Sequence, residues 1–148
     1  MIEIDREKVA KETLELLEEK GYKKSKDMWG FLTTDANIQG TIKAANRLAV
    51  KYLGYTDHGL DHVTIVCKNV LNILAVVTEE ITPAIIRQGI GDMDDVALVC
   101  IAACYLHDCG HVIHRENHEL SSALMTKELL LNKLKKIYPE VDKCYEIL

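Results

Sequence analysis

Apolar residues recur along most of this chain at spacings of three and four, and Gly, Pro, Asp and Lys interrupt them. That period predicts helices. Val9, Thr13 and Leu16/Leu17 share the face of a first helix, with Asp5 as its N-cap and Gly21 at its end. Tyr22 to Lys26 reads as a lysine-rich loop, and Met28-Trp29-Gly30-Phe31-Leu32 as an irregular packed segment. Asp35 caps a second helix that stops at Gly54, with Ile38, Ile42, Ala45, Ala49 and Tyr52 on one face. A third helix runs from about Gly59 to Thr78 with Val63, Val66, Val70, Ile73/Leu74 and Val77 inward. Those β-branched residues suit strands, but the length and period favour helix. Glu79 to Asp92 holds Pro83, Gly89 and Gly91 and reads as a long loop with room for one short helical turn. The fourth helix, from Met93, is apolar all round and therefore central. A fifth, from near Glu116 to Tyr138, carries Leu120, Ala123/Leu124, Leu130/Leu131 and Leu134, and Pro139 opens a last short helix. The expected fold is all-α, a bundle of five to six helices in a single domain, with helices of residues 1–54 packing on a core of 55–138. No internal repeat, low-complexity tract or linker divides it.

Composition narrows the function. Nearly half of the 148 residues are apolar, so a packed globule is expected. The net charge of −5, with no basic run, argues against a nucleic-acid polymer as partner. The five cysteines, Cys67, Cys100, Cys104, Cys109 and Cys144, are odd in number and lack CxxC spacing. They fit a reducing cytosol and a role as small hydrophobes. The start lacks the apolar core of a signal peptide, and the longest apolar run is too short to span a bilayer. A cytoplasmic location without membrane contact is expected.

The chemistry lies in the histidines. The apolar run from Val96 to Tyr105 ends in Leu106-His107-Asp108, which delivers a His and an Asp into the interior or a cleft. Buried polar groups need partners, and a divalent metal serves both. Consecutive helical residues point about 100° apart, so both reach one ion only near a helix end, which Gly110 supplies. His58 and His62 are four apart and share a face if helical. His111, His114 and His118 follow the doublet, so all six histidines lie between residues 58 and 118, at the edges of apolar helices. A mixed His/Asp set with open positions is the pattern of a hydrolytic metal, and a closed structural zinc site would use paired cysteines.

Two stretches carry a family resemblance: His62-Val63-Thr64-Ile65-Val66, and Ala102-Ala103-Cys104-Tyr105-Leu106-His107-Asp108-Cys109-Gly110-His111. A lone His on one helix and a His-Asp doublet closing a later apolar helix resemble the HD superfamily of metal-dependent phosphohydrolases. Asn117-His118-Glu119-Leu120-Ser121-Ser122-Ala123 is similar to the segment that opens the next helix in many members. The resemblance covers roughly residues 55 to 135. It implies an HD-domain-like bundle with the metal site between central helices. His62, His107 and Asp108 would be metal ligands, with Asp108 able to bridge two ions. His58 stands where the phosphodiesterase branch has a proton donor to the leaving oxygen, although Gly59 replaces that branch's Asn. His111 resembles the second His of a His-Asp-x-x-His pattern and is, with His58 and Asp108, a catalytic candidate. His114 and His118 resemble the histidines that bind a second ion in dinuclear members.

The implied cofactor is one or two divalent ions, with Mn, Fe, Ni, Co, Zn or Mg all admitted. The implied substrate is a small phosphate mono- or diester, foremost a nucleotide, attacked by metal-activated water. Arg115, Lys43 and Arg47 are candidates for phosphate binding, against the plainer reading of a solvated face. One feature departs from the family. Its last metal ligand is an Asp some way after the doublet, and the tail here offers Asp142 alone. A C-terminally incomplete chain is one expectation that follows. The alternative function is a non-catalytic HD-like module that binds a nucleotide or partner through a degenerate site. A di-iron oxygenase is a third reading. A homodimer is also allowed, since helix-rich members often pair.

Overall fold

The structure, a computed structural model, describes residues 5–54, 56 and 59–148, without the side chains of residues 52 and 53. It is all-α, with no strand among the described residues. Helix α1 (Arg6–Glu19) starts where the Asp5 carboxylate accepts the Lys8 N–H, and the chain leaves it through Gly21 at φ 70°. Helix α3 (Ala36–Leu53) is capped by Asp35, which accepts from the N–H groups of Asn37 and Ile38, and ends at left-handed Gly54. Helices α4 (Leu60–Glu80), α5 (Ala84–Arg87), α6 (Met93–Leu106) and α7 (His118–Ile137) follow the predicted order. A 3-10 turn over Cys109–Val112 links α6 to α7. The last helix, α8 (Val141–Ile147), begins two residues after Pro139, with Glu140 as its N-cap.

The clearest departure is α2 (Lys23–Thr34), which occupies the predicted loop and irregular segment. Its N-cap residue, Tyr22, makes no side-chain cap. The cap comes instead from Asp94, some seventy residues away, whose carboxylate accepts the N–H groups of Lys24 and Ser25, both at 2.8 Å. A carboxylate there also complements the positive end of the helix. Met28, Trp29 and Leu32 then face the core. With α2 and α5 counted, the described residues form eight helices, beyond the five to six expected.

Helix α6 is the centre, as its uniformly apolar sequence predicts. Helices α2 and α4 pack along it, α1 lies on α4, α3 and α7 clasp the 3-10 turn, and α8 rests on α7. Leu17, Met28, Leu32, Ile38, Leu98, Ile101, Leu106 and Leu134 are fully buried between them. By length and composition, two helical stretches are apolar enough to cross a membrane, Leu60–Glu80 and Met93–Val112. Unbroken apolar runs understate this, because isolated polar residues interrupt both. The second stretch is mostly buried in the fold, as a core helix is. The first leaves Ile73, Val76, Val77 and the adjoining Ile81 exposed.

Candidate metal centre

Helix α6 ends one residue before the doublet. His107 is its C-cap, and Asp108, at φ −105° and ψ 3°, turns the chain into the 3-10 turn. The consecutive side chains therefore escape the divergence of a regular helix. Gly110 sits inside that turn instead of ending the helix. A Cβ on Gly110 would lie 2.1 Å from the His118 carbonyl oxygen and 2.5 Å from the Ser122 nitrogen. No side chain fits there, so glycine lets α7 dock directly on the turn. The Gly110 N–H donates to the buried Ser122 hydroxyl at 2.8 Å, which holds the two together. Asn117, at φ 58°, redirects the chain so that His118 becomes the first residue of α7.

These elements aim imidazoles at one carboxylate. His107 Nε2 lies 2.9 Å from Asp108 Oδ2, and His118 Nε2 3.4 Å from Oδ1. His111 Nε2 is 3.9 Å from Oδ1, and its ring stacks on that of His118 at 3.9 Å between centroids. His62, from the first turn of α4, faces His107 with ring centroids 5.6 Å apart. The result is two groups that share Asp108, namely His62/His107/Asp108 and Asp108/His111/His118. Within each, the ligand atoms lie within 4.8 Å of one another, so each can hold a metal ion.

The far side of each ring tests that fit. His107 Nδ1 is 2.9 Å from the Cys104 carbonyl oxygen, and His118 Nδ1 is 3.1 Å from that of Arg115. A carbonyl only accepts, so Nδ1 carries the hydrogen in both rings. In the neutral ring, Nε2 then presents a lone pair to the carboxylate, and two electron-rich atoms at such range repel. A proton on Nε2 or a cation between them resolves the conflict. The bond to Asp108 raises the His107 pKa above its ordinary value, against the opposing pull of burial, and the Cys104 carbonyl adds to the rise. A divalent ion resolves it for several rings at once. Nδ1–H bonded to a backbone carbonyl is the usual orientation of a metal-binding His. Imidazole nitrogen with carboxylate oxygen suits Mn, Fe, Co, Ni and Zn.

Of the residues predicted from sequence, His62, His107, Asp108, His111 and His118 are brought together. His111 stands in the second group, beside Asp108 and His118. His114 belongs to neither group. It is exposed, and its Nδ1 lies 3.0 Å from the Glu116 backbone nitrogen. The physical reason is that α7 starts at His118 rather than near Glu116, so the spacing of four between His114 and His118 spans a loop and not a helical face. His58 lies outside the described residues. Asp142 is exposed in the first turn of α8 and is part of neither group. Its neighbour Lys143 faces Asp95, at the other end of α6. Lys43, Arg47 and Arg115 are exposed. Ser122 escaped the sequence reading, and its only sign there is the small-residue run Ser121-Ser122-Ala123 at the start of a helix. The cysteines behave as small hydrophobes, since burial pushes the Cys67, Cys100, Cys104 and Cys109 thiols up.

No family model matches the chain, and no solved structure matches it. It is 33% identical over 117 residues to an uncharacterized protein of Methanocaldococcus jannaschii. That match covers 78% of this chain and 45% of the archaeal protein, so the chain spans less than half the length of the relative it matches.

Proposed function

We propose that the chain is a metal-dependent phosphohydrolase built on an HD-like helical domain, in which Asp108 would be shared by the residues that hold one or two divalent ions. The observation that carries this reading is the pair of His/Asp groups sharing Asp108, with two of the rings oriented through Nδ1 by backbone carbonyls. His62 and His107 would hold one ion with Asp108, and His111 and His118 the other. Divalent ions, when bound, neutralise phosphoryl oxygens and supply hydroxide from water near neutral pH. The chain's own part is to fix the ligands. Cys104 and Arg115 orient two rings, Gly110 and Ser122 lock the turn onto α7, and Asp108, 9% exposed, keeps its carboxylate largely out of water. The resemblance assigns His58 the proton for the leaving oxygen, a task suited to imidazole.

A non-catalytic module with a degenerate site is the second reading, and the position of Asp142 outside both groups favours it. Metal analysis of protein purified without chelator, beside a His107→Ala/Asp108→Ala variant, tests the centre. One or two equivalents, lost in the variant, are expected. Hydrolysis of a generic phosphate ester by the loaded protein then separates the two readings. Absence of metal in both proteins after reconstitution would end the enzyme claim for this chain.

A further inference from the structure

Beside the metal-binding groups a hollow of about 390 Å³ opens along α6 and α7, large enough for a small ligand. His107, Asp108 and His118 line it, together with the apolar Ala103, Leu106, Ala123 and Leu148. Two hydroxyls also line it, that of Ser122, which accepts from the Gly110 N–H, and that of Thr126. Among the described residues no lysine or arginine lines it, and the carboxylates that do are Asp108 and Glu119. Lys127, next to Thr126, carries its ammonium over the Tyr145 ring.

From this we infer that the substrate is a phosphate monoester whose alcohol portion is apolar, and that polyphosphates are disfavoured. The inference rests on the phosphohydrolase reading and narrows its substrate away from nucleotides. Two ions and their histidines can neutralise one phosphoryl group. A triphosphate brings further anionic groups that need lysine or arginine partners, and here they would meet apolar walls and Glu119. An alkyl or aryl group, by contrast, gains by leaving water against Ala103, Leu106 and Ala123. Leu120 and Leu124, both more than half exposed, continue the apolar surface beside Ala123 along α7. In the reaction, the water oxygen forms a bond to phosphorus while the bond from phosphorus to the alcohol oxygen breaks. The electron pair leaves on that oxygen, which takes a proton, so ester and water give alcohol and inorganic phosphate.

The test is a substrate series on the metal-loaded full chain, its metal content measured first. Methyl, butyl and hexyl phosphate are compared with a nucleoside triphosphate. Each added methylene should raise kcat/KM about fourfold until the hollow is filled, from about 0.8 kcal/mol per buried CH₂. The triphosphate should fall at least about tenfold below hexyl phosphate. Ala123→Lys, a change at an exposed position, should lower the ratio of hexyl phosphate to triphosphate turnover. A flat chain-length series, or preference for the triphosphate, would overturn the inference and leave the phosphohydrolase reading standing. No turnover of any ester by loaded protein would sink that reading, and the inference with it.

Discussion

Helix α6 carries an aspartate at each end, and the two are buried in opposite ways. At the N-terminal end Asp95 is 2% exposed. It accepts from the Lys24 ammonium at 2.6 Å, the Tyr138 hydroxyl at 2.5 Å and the Asp92 N–H at 2.9 Å. Asp92 returns the favour by accepting the Asp95 N–H, a capping box. At the C-terminal end Asp108 meets imidazole nitrogens, two of which carry their hydrogen on the far side of the ring. Each end also has a glycine with no space for a side chain: Gly91 against the Asp95 carboxylate and Gly110 against α7. Packing is thus close at both ends, against a side chain at Gly91 and against backbone at Gly110. What differs is whether the partners bring hydrogens or lone pairs. A carboxylate ringed by donors is complete in itself and holds helices together. A carboxylate met by imidazole lone pairs is suited to a cation.

The comparison breaks most visibly by removing each carboxylate in turn. Asp108→Ala should abolish metal binding by both groups, because both share that side chain. Metal supplies several kcal/mol of transition-state stabilisation in such reactions, so activity should fall about a thousandfold or more. The increase in Tm on adding metal should vanish with it, since only a ligand that binds the folded state stabilises it. Metal analysis and thermal melts with and without metal read this directly. A variant that keeps its metal-induced Tm shift would contradict the shared role of Asp108.

Asp95→Ala should do the reverse. Removing one partner from a buried charged pair costs about 3 kcal/mol, which for a chain of this size lowers Tm by about 10 °C. Metal stoichiometry should stay unchanged, since about 20 Å of helix separates the two ends. Loss of metal at temperatures where the variant is folded would show that the ends are coupled.

Acid titration sharpens the same contrast. Burial alone would raise the Asp95 pKa, but the bonds from Lys24, Tyr138 and the Asp92 N–H outweigh it and hold the carboxyl at about 2. The folded value lies below the unfolded one, near 3.9. Its contribution, about 2 kcal/mol, is therefore complete above that unfolded value and is lost as pH falls towards 2. Urea melts of metal-free wild type and Asp95→Ala should converge over that window. Curves that stay parallel below pH 3 would refute the assignment.

The sequence was most legible where signals are local. Asp5, Asp35, Gly21 and Gly54 mark helix ends correctly, and the uniform apolarity of Val96 to Tyr105 identifies the central helix. His62, His107, Asp108 and His118 were readable as candidates because the doublet closes that helix. Helix α2 was not legible, because its cap is Asp94, and no pattern around Tyr22 announces a partner so far along the chain. His114 falls in neither group, because Asn117 in the left-handed conformation starts α7 at His118 and leaves residue 114 in the preceding loop. The Asp95 network had one trace, the Asp92-x-x-Asp95 spacing before an apolar run, but Lys24 and Tyr138 join it only through the fold.

Two smaller changes measure how sharply the ends differ. Tyr138→Phe removes one donor to Asp95 while leaving Lys24 and the Asp92 N–H in place. A hydrogen bond to a charged group is worth about 1.5 to 3 kcal/mol, and partial compensation by the remaining donors puts the loss at the lower end. The burial and Asp95 contact that raise the Tyr138 pKa also predict that the hydroxyl stays protonated through ordinary alkaline pH. Burial raises the Tyr22 and Tyr105 pKa values as well, so difference spectra of tyrosine ionisation should show a deficit near pH 10 in the folded wild type relative to unfolded protein, and that deficit should be one residue smaller in the Tyr138→Phe variant. At the other end, His114→Ala should change stability by less than about 0.5 kcal/mol, as for ordinary surface positions, and leave metal content intact. His118→Ala, four residues on, should remove the ion of the Asp108/His111/His118 group and spare the other. If instead the two histidine variants lose metal alike, the start of α7 at His118 does not decide which histidines face Asp108.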